Sequence, residues 1–305
     1  MKNKIRVFKL LKRTGGQFID DNAINLSASL SFYTVFALAP LLIIIMTLAG
    51  FFFGADAVHG KIYGEIDGLV GSVAAKEIED VIKNIETAHH TNAGAIIGIV
   101  ALIVGATGVF TEIQDSINFI WCIKAKPKKG WLKVILNRVL SFSLVVSLGF
   151  ILLVSLVLNA VMDLFSDRLK LLFADATVYF FYVVNVLIIF LIITTMFAVI
   201  FKVLPDAKIR WKDAFIGAFF TALLFVLGKF MIGYYLSNSN IGVTYGAAAS
   251  VIIILLWVYY SSIILFFGAE FTHLYATHYG GGVVPNDTAV FIVKQEAKEV
   301  EAGDL

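Results

Sequence analysis

Apolar residues in this chain run together in long stretches rather than alternating with polar ones. A helix needs roughly 20 consecutive apolar residues to cross a hydrocarbon core about 30 Å thick. Six stretches meet that length, at residues 26–53, 93–113, 134–162, 178–203, 214–236 and 245–275. Only a helix or a closed barrel satisfies its backbone in lipid, and runs this long predict helices. The pattern predicts an all-α integral membrane protein, a six-transmembrane-helix bundle filling residues 23–278. Pro40 lies inside the first run and removes one backbone donor, so a kink is expected there. Asp213, just ahead of the fifth, suits a helix N-cap.

The connections carry different patterns. Val73, Ile78, Val81, Ile82 and Ile85 fall near one helical face in the long acidic link between the first two runs. This predicts an extracytoplasmic amphipathic helix over about 72–87, set over the bundle or in the headgroup layer, or gating an outward cavity. Residues 1–22 place Ile5, Phe8 and Leu11 at helical spacing among basic residues, a basic amphipathic segment suited to an anionic leaflet. From residue 279 a triple-glycine stretch and mixed charges predict a mobile tail to residue 305.

Composition supports lipid as the main solvent. Of 305 residues, 59% are hydrophobic and 15% charged, against about a quarter charged in soluble domains; the mean hydropathy is +0.89. Net charge is only +2, yet its placement is uneven. Lys2, Lys4, Arg6, Lys9, Lys12 and Arg13 precede the first run, and Lys124, Lys126, Lys128, Lys129 and Lys133 follow the second. Lys202, Lys208, Arg210 and Lys212 follow the fourth. The alternate connections hold Lys61, Lys76, Lys83, Arg168 and Lys170, so fifteen basic residues face five. Cytoplasmic loops carry the excess, so both termini are expected in the cytoplasm of a bacterial-type inner membrane. The basic start lacks a short apolar segment with a small-residue cleavage site, so the first run is expected to be retained. The lone Cys122 cannot form an internal disulfide.

Polar groups inside or beside lipid are costly and mark candidate sites. Glu112, Gln114, Asp115 and Asn118 lie at the cytoplasmic mouth of the second run. Arg138 falls at the same level on the third and Glu270 at the inner end of the sixth. They form a candidate inner polar cluster, either bracing helix ends or lining a vestibule for a headgroup or ion. Lys229 lies roughly 24 Å into the fifth run at 1.5 Å per residue, a candidate outer-leaflet anion contact or a snorkelling side chain. Asn159, Asn185, Thr194 and Thr195 suit ordinary bonds between helices. Gly94, Gly98, Gly105, Gly108, Gly217 and Thr221 provide small faces for close approach. No phosphate-binding glycine loop, GxSxG or HExxH pattern occurs, so no catalytic set is assigned. His59, His89 and His90 lack a recognisable ligand spacing, and no metal or cofactor is expected.

Several stretches together resemble the YihY/virulence factor BrkB family, historically labelled ribonuclease BN. They are Leu26-Ser-Ala-Ser-Leu-Ser-Phe-Tyr-Thr with Leu38-Ala-Pro40-Leu-Leu, and Gly108-Val-Phe followed by Ile113-Gln-Asp-Ser-Ile-Asn and Trp121. Leu204-Pro205-Asp, Arg210-Trp-Lys-Asp, Gly217-Ala, Thr244-Tyr245-Gly246-Ala, Leu256-Trp and Gly268-Ala-Glu270 complete the match, over about residues 20–277. The resemblance implies a six-span inner-membrane protein. Family names refer to serum resistance and transfer-RNA processing, some members are connected with lipid movement, and no agreed catalytic set comes with it. Lys229 is not part of the family pattern.

Three functions compete. A transporter or lipid-moving protein accounts for polar groups at both rims, and a scaffold recruiting envelope proteins accounts for the same bundle. A ribonuclease needs a basic groove with convergent acid, base or metal groups. The short cytosolic pieces cannot bury a core to build one. The expected partners are therefore membrane lipids, anionic ones at the cytoplasmic leaflet, and envelope proteins, with no nucleic acid. The small-residue faces are also compatible with homo-oligomers.

Overall fold

The computed structural model describes residues 2–53, 72–88, 105, 108–126, 174–245 and 248–294. The elements in order are α1 (Lys2–Asp20), α2 (Ala23–Phe53), α3 (Ser72–Ala88), α4 (residues 108–120) and β1 (Ile123–Ala125). There follow α5 (Ala174–Val203), β2 (Ala207–Lys208), α6 (Trp211–Ser237), α7 (Ile241–Tyr245), α8 (Ala249–Tyr279), β3 (Val284–Pro285) and β4 (Ala289–Phe291). The first, fourth and fifth apolar runs fall within α2, α5 and α6, the sixth falls within α8 from Ala249 onward, and α2 stays helical through Pro40. Of the second run only residues 105 and 108–113 are described. The third, with Asn159 and Arg138, lies outside the described residues, as do His59, His89 and His90.

Val186–Val203, Trp211–Ser237 and Ala249–Tyr279 are each long and apolar enough to cross a membrane. Their side chains sort by size rather than polarity. On α6 the buried face is Ala214, Gly217, Ala218, Thr221, Ala222, Phe225 and Gly228, whereas Phe215, Phe219, Leu223, Leu227 and Phe230 are exposed. Large apolar groups facing outward and small ones inward is the arrangement expected where lipid removes the hydrophobic drive between helices and close backbone approach takes over.

α8 is the centre, packing on α2 along one side and α6 along another, while α5 packs chiefly on α6 and touches α8 as well. α6 and α8 run antiparallel and touch through reciprocal locks. A Cβ on Gly217 would fall 1.9 Å from Thr272 Oγ1, and one on Gly268 would fall 2.0 Å from Thr221 Oγ1. Farther along, Gly228 faces Tyr260 and Ile264. Each threonine hydroxyl donates to the carbonyl four residues back in its own helix, Thr221 to Gly217 (2.8 Å) and Thr272 to Gly268 (2.6 Å). These bonds satisfy both threonine hydroxyls within the crossing.

Two features modify the sequence-based expectation. Asp213 is not the N-cap of α6. Arg210 occupies that position without a side-chain bond, and the buried Asp213 carboxylate accepts a bond from Gly281 N–H at 2.8 Å instead. Residues 280–294 are also not a loose tail. They fold back as a strap in which β3 pairs antiparallel with β2 and β4 with β1. Ile292 N–H donates to Cys122 O (2.8 Å) and Asn286 N–H to Asp206 O (2.9 Å). The triple glycine that suggested mobility serves this fold-back. A Cβ at Gly280 would strike the Asp213 carboxylate at 2.5 Å, one at Gly281 would strike Arg210 at 2.1 Å, and Gly282 has φ +78°. Residues 295–305 lie outside the described residues.

Candidate functional site

The strap draws polar groups from distant segments to one end of the bundle. α1 ends at Asp20, and Asn22 at φ +51° turns the chain into α2; asparagine tolerates that left-handed conformation. Asp21 is thereby held inward, 8% exposed. α1 lies against α8 through Leu10, beside Phe271 and Leu274. Arg13 Nη1 is 3.1 Å from His278 Nε2, whose Nδ1 is 2.9 Å from Leu274 O. These distances fit an Arg13 donor to Nε2 and an Nδ1–H donor to the carbonyl.

Asp21 meets two partners. Lys294, from the end of the strap, forms an ion pair with its Oδ2. The second neighbour of Asp21 is Glu270, from α8, close enough to interact with it electrostatically. Glu270 is completely buried, and neither of its oxygens accepts a bond from an N–H or O–H of the described residues. Lys294 Nζ stands 4.6 Å from the Phe119 ring centroid and 3.4 Å from Ile120 O. One turn beyond Glu270, His273 has a buried Nδ1 with no partner among the described residues. Its ring centroid is 6.5 Å from that of Trp121. Fully buried Trp121 donates its indole N–H to Ala269 O at 3.0 Å, tying the end of α4 to α8 beside Glu270.

A second polar clamp sits at the same end. Asn118 Nδ2 donates to Asp206 Oδ2 (2.9 Å), and Asn118 Oδ1 accepts from Asp206 N–H (2.8 Å). Pro205 is buried in the α5–α6 corner, where Lys202 donates to Ile209 O and lies 5.7 Å from the Trp211 ring centroid. On the strap's outer surface Lys208 pairs with Asp287 at 2.9 Å. That bond holds the fully exposed Asp287 carboxyl below its ordinary pKa.

The candidate inner polar cluster is therefore divided. Asn118 and Glu270 belong to this end, Asn118 bonded to Asp206 and Glu270 lying beside Asp21. Gln114 is buried, Glu112 half-buried and Asp115 exposed on the same helix. Asp21, Lys294, Asp206 and His273 complete the constellation. Neither Asp21 nor Lys294 stands out in the sequence as a candidate, and no local pattern ties Asp21 to residue 270 or 294.

Lys229 lies elsewhere. It is 16 residues beyond Asp213 on α6, about 24 Å at 1.5 Å per residue. There it lines a cavity of about 320 Å³ with Ser72, Val73, Tyr234, Ser237 and Trp257. The first turn of α3 thus faces the far ends of α6 and α8. Tyr245 is exposed, Gly246 lies outside the described residues, and the side chain of Pro40 is likewise not described. No group of three or more His, Cys, Asp or Glu able to hold a metal occurs among the described residues.

A helical membrane protein with polar groups at both ends of its apolar helices is the class these features define. Matching the virulence factor BrkB family model over residues 14–288, the chain belongs to that family. It is 26% identical over 256 residues to a UPF0761 membrane protein of Pseudoalteromonas atlantica, covering 83% of this chain and 81% of that one. It is 28% identical over 260 residues to a UPF0761 membrane protein of Stenotrophomonas maltophilia, covering 83% and 58%. A UPF0761 membrane protein of Verminephrobacter eiseniae is 27% identical over 279 residues, covering 90% and 63%. The chain thus spans less than two thirds of the length of the last two. No solved structure matches the chain.

Proposed function

We propose that this protein is an inner-membrane transporter that moves a phosphate-bearing lipid, entered from the outer leaflet at the Lys229 cavity. The observation that carries the reading is the cavity itself. Its wall combines an ammonium group, a hydroxyl, an indole and the first turn of a helix, a set suited to a phosphate and its glycerol. Phe230 and Tyr234, which also line it, are among the most exposed side chains of α6. The cavity therefore opens sideways, where a lipid headgroup could enter without leaving its leaflet.

Orientation follows the basic residues, with the strap end and both termini cytoplasmic and α3 outside. Six spans are then required to return the chain. No nucleotide-binding pattern is present in the sequence, so movement is passive, ion-coupled or partner-driven. The ribonuclease label is set aside on the sequence argument that the short cytosolic segments cannot bury a core of their own to build a groove for RNA. A scaffold is the second reading. It draws support from the continuous apolar core of Ile117, Trp121, Phe197, Phe201, Ala218 and Phe266, a packed interior among the described residues.

Reconstitution into phospholipid vesicles with a fluorescent lipid, bleached from outside, separates the two. Transport predicts complete bleaching in vesicles holding the protein and half in empty ones, with a several-fold slower rate for Lys229→Gln. Bleaching equal to that of empty vesicles overturns the transport reading.

A further inference from the structure

The strap end contains a chemical site that the proposed lipid entry does not use. Lys294 is not merely neutralising a surface acid. Its ammonium is held by Asp21, lies near the carbonyl of Ile120 and sits over the Phe119 ring, while Glu270 stands beyond Asp21 with both oxygens buried and without donors. One carboxylate thus holds the ammonium and a second stands behind it within electrostatic reach, with a carbonyl as a further acceptor and an aromatic face closing a side. A primary ammonium has three N–H donors and is attracted to the face of an aromatic ring, so this set matches a –CH2–NH3+ group. The acidic pair on its own would not define a ligand; the resident lysine and the unpartnered, fully buried Glu270 do.

The lysine is also the movable part of the site. Asp21 is fixed by the α1–α2 turn and Glu270 by the centre of α8. Phe119 and Ile120 are fixed by α4, through the Trp121 bond to Ala269. Lys294 reaches the site from an extended segment held by strand pairings of two and three residues. It follows Ile292 N–H···Cys122 O, the strap's last backbone bond among the described residues.

We infer that Asp21, Glu270, the Ile120 carbonyl and the Phe119 ring form a binding site for a primary ammonium group, occupied in this structure by Lys294 as a tethered ligand. An ammonium-bearing molecule, either an aminophospholipid headgroup or a soluble alkylamine, takes the same site when the end of the strap lifts. Binding there is coupled to release of the strap, because both cannot hold the acids together.

The test is chemical replacement of the lysine. Lys294→Ala is purified in detergent and its thermal unfolding followed with ethylammonium chloride, sodium chloride or tetramethylammonium chloride at equal ionic strength. Lys294→Met, which keeps the aliphatic stem, is the second variant should the alanine form fail to fold. At tenfold over half-saturation, ethylammonium should raise the unfolding temperature by about 3 °C, with a saturable dose curve. Sodium and tetramethylammonium, which lack N–H donors, should not. The wild type should not respond at these concentrations, its own lysine being in place. Adding Asp21→Asn to Lys294→Ala should abolish the response, and adding Glu270→Gln should weaken it several-fold. Equal shifts with sodium and ethylammonium, or a response that survives Asp21→Asn, would overturn the inference. The two ligand sources separate in nanodiscs. If phosphatidylethanolamine, compared with phosphatidylglycerol alone, stabilises the Lys294 variant and removes its ethylammonium response, the ligand is the lipid. If only soluble ethylammonium acts, the ligand is a free amine.

Discussion

Gly268→Ala is the most direct probe of how the membrane helices are held. The added methyl would lie 2.0 Å from Thr221 Oγ1, 2.7 Å from its Cγ2 and 2.9 Å from its Cβ. Ordinary contact begins near 3.4 Å, so α6 and α8 must part locally by roughly 1.4 Å or Thr221 must rotate. Rotation is poorly tolerated, because Thr221 is fully buried and its hydroxyl is committed to Gly217 O. Parting the helices also loosens the mirror lock, where Thr272 fills the space over Gly217. Overpacking of this kind costs about 1–3 kcal/mol, and with two locks strained the upper half is expected. Thermal or denaturant unfolding in one detergent reads the loss. The decisive variant is the double, Gly268→Ala with Thr221→Gly, which removes all three clashing atoms. Thr221→Gly alone should also destabilise, by lost contacts and helix propensity of about 1 kcal/mol. If the steric account is right, the double variant is more stable than the two single losses predict, by about 1 kcal/mol or more. Strict additivity, or a Gly268→Ala protein as stable as the parent, would refute it.

Other consequences are smaller and separable. Trp121→Phe keeps most of the buried ring but removes the bond to Ala269 O, and should cost about 1–3 kcal/mol in the same unfolding assay. Asn118→Ala breaks both bonds to Asp206 and should cost a similar amount; Asn118→Asp should be worse, since it sets a second carboxylate against the first. The Lys208–Asp287 pair gives a pH signature without a stability one. Its depressed carboxyl pKa means that whatever the pair contributes is present above the ordinary aspartate range near pH 4 and is lost as pH falls through the lower folded value. NMR titration should find Asp287 titrating below a free aspartate. Asp287→Asn should leave the unfolding temperature unchanged at neutral pH, because both side chains are in solvent.

What the chain revealed in advance follows from which forces are local. The apolar runs that became α5, α6 and α8 each contain enough residues to declare themselves without reference to the rest of the molecule. Their inner faces were harder, because a helix apolar all round carries no amphipathic signal. Size supplied a partial substitute: Gly217 and Thr221 were readable as a close-approach pair, although their partners Thr272 and Gly268 on α8 were not. The corner between α5 and α6 shows the limit. Pro205, Asp206 and Asp213 are conspicuous in the sequence, but Asp206 meets Asn118 and Asp213 meets Gly281, contacts across 88 and 68 residues that no short-range rule encodes.

The strap end was the least legible region for a further physical reason. Lys294 and Asp21 do not stand out from their local sequence, and Glu270 had an adequate local explanation as an acid bracing a helix end. Only the fold-back joins them, and the fold-back depends on Gly280, Gly281 and Gly282, whose composition resembles a flexible linker. Glycine permits both outcomes, since the missing Cβ that makes a free chain supple also lets a held chain pass within 2.5 Å of where a methyl would collide with Asp213. The decision lies with the partners. An Asp213 carboxylate waiting for Gly281 N–H, and short strands waiting at residues 123–125 and 207–208, convert a permissive segment into a strap. Its last described residue then delivers an ammonium to the buried Asp21 carboxylate at the turn between α1 and α2.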